Sequence, residues 1–162
     1  PLIIPSVSTA IGMHILHLKL GLTDSMLGVV LAHIIPTIPY SVKILSFSLE
    51  LIGKGMREQS EVLGANMLQT IVYIYLPNLK PAMILSSILV FIISFSQYLI
   101  TFLIGGGVIK TLPIMLFQVI QNGNRAEVSA YSLVFIISAL IATYFIERII
   151  GKNFDGKYMI NI

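Results

Sequence analysis

The sequence predicts an all-α, polytopic helical membrane protein, and three observations carry the prediction. Apolar residues make up 56% of the 162-residue chain and charged residues 10%, where a soluble domain carries roughly 25% charged residues because its surface faces water. The mean hydropathy is +0.93. So few charges cannot build a water-facing shell around a chain of this size, and lipid must be the main solvent of its outer surface. The apolar residues also fall in continuous runs, not in the alternation of a β-barrel strand, which leaves helices as the spanning elements.

A helical span needs about 20 predominantly apolar residues, and four candidates are visible. The first covers residues 2–18, with Pro5 where a first helical turn or a kink tolerates it. The chain opens on Pro1 inside apolar sequence, with no charged n-region or cleavable signal ahead of it. We therefore expect residues 1–162 to form one transmembrane domain whose N-terminal part is missing. The second span covers 25–47 and is interrupted by Pro36 and Pro39; the third covers 81–104 and the fourth 127–150. Lys43, Lys54, Arg57 and Lys80 lie in or beside the segment between spans two and three, and Arg148, Lys152 and Lys157 follow span four. The opposite side receives Lys19, Lys110 and Arg125. That bias places segment 48–80 and the C-terminus in the cytoplasm.

Composition narrows the chemistry further. The chain has no cysteine, which excludes disulfides, thiol catalysis and thiolate metal sites. A net charge of +3 could point to nucleic acid, but the basic residues are dispersed and no basic stripe with interleaved aromatics exists. His14 and His17 lie three apart with no carboxylate at ligand spacing, so no metal site is expected. No phosphate-binding loop follows the glycines at 105–107, and no paired carboxylates or Ser-His-Asp set can be placed together, so the chain is not expected to be an enzyme.

Segment 48–80 is the most informative. Leu49, Ile52, Met56, Val62 and Leu63 give a partial apolar stripe among charged residues, Gly64 divides the run, and Pro77 closes it ahead of span three. Two short amphipathic helices joined at Gly64 follow. From the residues alone they either lie on the membrane surface or dock a soluble partner. Within the segment stand Glu58-Gln59-Ser60, then Gly64-Ala65, then Ile74-Tyr75-Leu76-Pro77. This pattern resembles the EAA motif of the permease subunits of binding-protein-dependent ABC importers: a glycine six residues after the glutamate and Ile-x-Leu-Pro ten residues after the glycine. Gln59 and Ser60 stand where the motif has two alanines. Residues 21–25 and 105–113 are also similar to stretches of these permeases, and 94–101 with 105–113 look most similar to the polyamine, ferric-iron and small-ion group.

The resemblance implies a MetI-like helical bundle in the cytoplasmic membrane of a bacterium. It implies that the 48–80 loop is a coupling element seated on a cytoplasmic ATPase dimer, with Glu58 pairing a basic residue there and Gly64 permitting the turn. It further implies a second permease subunit, identical or paralogous, and an extracytoplasmic solute-binding protein. ATP and magnesium would sit on the ATPase, so this chain would bind no cofactor. A secondary transporter is the rival. It would need an ionisable coupling residue near mid-membrane, and every charged residue here sits at a span end or in a loop.

Polar residues inside spans normally face the bundle or a wet cavity. Ser87, Ser94, Gln97 and Thr101 recur at seven, three and four, on one face of span three. His33, Thr37 and Tyr40 do so in span two beside the proline kinks. These faces either line a translocation pathway or knit helices together; Gln97 favours the pathway. The loop 105–113 is expected at an external gate where a binding protein docks, 114–120 as a re-entrant or interfacial helix, and 122–124 as a turn.

Overall fold

The computed structural model describes residues 6–151. Helices follow one another as α1 (Ser6–Leu20), α2 (Met26–Val62), α3 (Met67–Thr70), a π-helical turn (Ile71–Tyr75), α4 (Leu76–Phe95), α5 (Leu99–Gly105), α6 (Leu112–Asn122) and α7 (Arg125–Gly151). Among the described residues three stretches are long and apolar enough to cross a membrane: Met26–Gly53, Met67–Phe95 and Arg125–Ile150. Four spans were expected. α1 contributes 15 described residues, fewer than a span needs, and residues 2–5 of the expected first span lie outside the described ones. Lys152 and Lys157 of the tail also lie outside them.

Span three differs most from expectation. It begins at Met67, not at residue 81, and stops at Phe95, not at residue 104. Pro77 does not close the run before it. The Leu76 N–H reaches the carbonyl of Ile71, one residue further than an α-helical bond. The widened turn sits where Pro77 has no N–H to offer and its ring crowds the preceding carbonyls. The Asn78 side chain donates to the carbonyl of Ile74 (2.7 Å). At the other end Ser96–Tyr98 is not helical. The Ser96 N–H still donates to Ile92 (3.1 Å) and the Gln97 N–H to Ser94 (3.2 Å), while Ser96 Oγ donates to the Ile93 carbonyl (3.1 Å). Hydroxyls and a tight turn thus satisfy part of the backbone that a break in apolar sequence frees.

The chain divides into two compact units, one of residues up to Pro39 with Phe91–Ala142, the other of Tyr40–Val90 with the residues from Thr143. In the first, α1 packs on α5. Its core is Ala10, Met13, Val29, Ala32, Ile100 and Ile104, with Leu99, Leu103 and Ile109 against it. Ala10 and Ala32 are fully buried, and their small side chains let backbones approach where lipid supplies no hydrophobic drive. The loop before α2 is tied to α5, because the Asp24 N–H donates to the Ile104 carbonyl (2.8 Å). Ser25 caps α2, its Oγ accepting from the Gly28 N–H (3.0 Å) and donating to the Leu22 carbonyl (2.7 Å). Phe95 stacks on Phe135 of α7, ring centroids 4.8 Å apart. None of the apolar window of α7 is buried within the chain, as suits a helix apolar on every face and solvated by lipid or other subunits.

Candidate functional site

In the second unit α2 is broken at Gly53, whose backbone takes φ 73° and ψ 164°. Residues 54–62 form a separate helical limb carrying Glu58, Gln59 and Ser60. The limb ends in a Schellman turn: the Gly64 N–H donates to Glu61 (3.0 Å) and the Ala65 N–H to Ser60 (2.9 Å). Asn66 then caps α3 in a capping box, its side chain accepting from the Gln69 N–H (2.9 Å) and its own N–H donating to Gln69 Oε1 (2.8 Å). The result is an elbow at Gly64, where the glycine spacing predicts a joint; its first limb is short, but the second is the opening of the long helical stretch Met67–Phe95 and not the separate short helix expected.

The inside of the elbow is small and hydrogen-bonded. Ser60 is 3% exposed and Thr70 4%, and their hydroxyls lie 2.9 Å apart. Each hydroxyl also faces a backbone carbonyl, Ser60 Oγ that of Arg57 (2.7 Å) and Thr70 Oγ1 that of Asn66 (3.1 Å), so the pair shares its protons between one another and the backbone. Ser60 thus fits a site with room for a small side chain and adds a hydroxyl clasp to it. Ser60→Ala is expected to cost about 1 kcal/mol and to leave the elbow closed, whereas Ser60→Leu has no room and forces the two limbs apart. Comparing the melting temperatures of the two variants in detergent checks this; equal values would mean that the elbow is not held closed.

The outside of the elbow is exposed. Glu58 and Gln59 face solvent, and so do Val62 (87%), Leu63 (86%), Met67 and Leu68. Ala65 and Ile74 are half-buried, while Leu76 and Pro77 are exposed. Arg57 pairs with Glu61 (2.8 Å), and that hydrogen bond and charge hold the guanidinium proton even more firmly than usual. A cleft of about 70 Å³ lies between this pair, Met67, Thr70, Ile71 and Tyr75.

In the first unit His33 bridges the two sides of the helix break. Its Nδ1 lies 2.9 Å from Ser94 Oγ on α4 and its Nε2 2.8 Å from Thr101 Oγ1 on α5. Thr101 donates its single proton to the Gln97 carbonyl (2.8 Å), so it must accept from the ring. The proton of the neutral imidazole is therefore on Nε2, and Ser94 donates to Nδ1. Ser94 and Thr101 do converge, but on two helices and not on one continuous face. Gln97 stands in the break, half-buried. Thr37 turns its hydroxyl back onto the carbonyls of His33 (3.0 Å) and Ile34 (2.8 Å), beside the positions where Pro36 and Pro39 offer no N–H. Tyr40 and Ser87 belong to the other unit. His17 is buried and gives Nδ1–H to the Met13 carbonyl (2.7 Å).

A second feature of this unit escaped the sequence reading. A cleft of about 230 Å³ lies between α5 and α6, lined by Tyr98, Phe102, Ile114, Phe117, Gln118, Gln121 and Asn122. The signal was there: 114, 117, 118 and 121 are one helical face, and two of its four residues are amides. α6 forms where 114–120 predicts a helix, entered through Pro113 and closed by Gly123.

The family model described as "Binding-protein-dependent transport system inner membrane component" matches residues 1–158. The chain belongs to that family. The spermidine/putrescine transport system permease protein PotC of Haemophilus influenzae is 25% identical over 149 residues, 92% of this chain and 58% of that protein. The putrescine transport system permease protein PotI of Escherichia coli is 27% identical over 158 residues, 91% and 56%. The sulfate transport system permease protein CysT of Salmonella typhimurium is 26% identical over 147 residues, 89% and 53%. The chain thus spans little more than half the length of these relatives. No solved structure matches it. An inner-membrane component of this kind agrees with the three long apolar helices, and the family supplies the membrane part of such transport systems.

Proposed function

We propose that the chain acts as the permease subunit of an ABC importer, moving a small solute inward across the cytoplasmic membrane. Its partners would be a pair of cytoplasmic ATPase subunits, a second permease subunit and an extracytoplasmic solute-binding protein. ATP and magnesium would be bound by the ATPase. The observation that carries the reading is the elbow: exposed Glu58 and the exposed apolar tip at Val62, Leu63, Met67 and Leu68, braced from inside by Ser60 and Thr70. A braced elbow transmits a push, and a charged anchor resists slippage. A charge-assisted hydrogen bond from Glu58 to a basic residue is worth about 1.5–3 kcal/mol.

His33, Ser94, Gln97 and Thr101 would belong to the pathway wall, since irregular backbone inside apolar sequence is tolerated where it lines a cavity or is buried in protein. Relatives transport polyamines or sulfate by name, and the solute of this chain would be of the polyamine type.

Co-purification with the ATPase tests the proposal. Wild type is expected to bring the ATPase down, and Glu58→Lys and Gly64→Asp to lose it while inserting normally into the membrane. Retention by both variants, or no ATPase with wild type, would sink the assignment.

A further inference from the structure

We propose that the cleft between α5 and α6 binds an organic ammonium group. The inference rests on the permease reading for its role and names the class of solute. Three aromatic rings form one wall. Tyr98 stacks on Phe117 with centroids 4.2 Å apart and on Phe102 at 5.7 Å, so the rings are held before any guest arrives. Phe102 keeps 46% and Phe117 38% of its surface open, which leaves ring area for a cation to approach. The negative ring faces attract a cation within about 6 Å of a centroid. Gln118, Gln121 and Asn122 supply amide oxygens that accept N–H hydrogen bonds.

The lining also discriminates among solutes. It holds no Lys, Arg or His, so an anion would meet aromatic faces with no compensating charge. It holds no carboxylate, imidazole or thiolate either, so a metal ion stripped of water would find only amide oxygens. An ammonium group is satisfied by that combination. Neutral amides hold it without the tight grip of a carboxylate, and a site on a transport route must release what it binds. At about 230 Å³ the cleft is smaller than the roughly 300–1,000 Å³ of drug-sized pockets, which suits a short amine.

Equilibrium binding of radiolabelled putrescine to the whole protein in detergent, without ATP, is the test. Saturable binding is expected, with no competition from sulfate or from 1,4-butanediol, which has the same length and no charge. Phe117→Leu keeps apolar bulk and removes the ring, and is expected to weaken binding about 3- to 30-fold, while Phe117→Tyr restores it. Gln121→Leu, at an exposed position, is a second probe should Phe117→Leu fail to fold, and is expected to weaken binding as well. Absence of saturable binding, equal competition by butanediol or sulfate, or wild-type affinity in the folded variants would overturn the site. Uptake separates the two readings: ATP-driven transport without this binding removes the site alone, and binding without ATP-driven transport removes the permease reading alone.

Discussion

In the importer proposed above, Gly53→Ala is expected to lower ATP-driven uptake by at least about tenfold while the protein still inserts in normal amount. The backbone at Gly53 (φ 73°, ψ 164°) lies in a region essentially reserved for glycine, and holding a side-chain-bearing residue there costs about 1–3 kcal/mol. Alanine has an easier choice. It is the best helix former, favoured over glycine by about 1 kcal/mol, so both effects push the residue into helical geometry. The helix then runs through residue 53 without the break, and the limb carrying Glu58 points elsewhere. Apart from its own neighbouring backbone, nothing lies within 4 Å of a Cβ built at Gly53, so the effect is conformational and not a clash. Gly55→Ala is the control. It too meets nothing within 4 Å, but it sits within the helical limb, and uptake should stay within about twofold of wild type. Equal uptake by the two variants would remove the bend at Gly53 from the proposed coupling.

The sequence reveals the class of this fold for a simple reason: solvation by lipid is a property of composition, and composition needs no coordinates. The elbow is also legible, because Gly64 and the capping residues act locally, through hydrogen bonds spanning three to five residues. What the sequence hides is long-range or permissive. Pro77 reads as a stop, yet a π-turn absorbs it, and nothing in the residue types announces a widened helix. The break at Ser96–Tyr98 contains neither glycine nor proline; it is held by Ser96, Thr101 and the distant His33. Gly53 stands among charged residues as one of several glycines, and only its backbone angles set it apart from Gly55. The bond from Asp24 to Ile104 joins a loop to α5 across 80 positions in sequence, beyond the reach of any periodicity. Ser60 shows the reverse case: the resemblance alone draws attention to the position, and the structure buries it against Thr70.

The second large effect is expected at Gly28, and it fails in a different way. A Cβ built there meets the carbonyl oxygen of Leu22, a backbone atom with no rotamer to change. That carbonyl is fixed by the Ser25 hydroxyl (2.7 Å), which in turn accepts the Gly28 N–H (3.0 Å). Relieving the overlap moves the loop and breaks the cap together. Overpacking costs about 1–3 kcal/mol and a lost N-cap about 1 kcal/mol, so Gly28→Val should lose about 2–4 kcal/mol. That is a large share of the 5–15 kcal/mol typical of folded domains. The expected result is a lower melting temperature in detergent and a several-fold smaller amount of inserted protein. Gly12→Ala, where nothing lies within 4 Å, should change neither. Uptake divided by inserted protein then separates the two glycines: near wild type for whatever Gly28→Val protein survives, and low for Gly53→Ala. A Gly28→Val protein of normal amount and normal melting temperature would mean that the Leu22 carbonyl is free to move, and that the cap at Ser25 does not fix the start of α2.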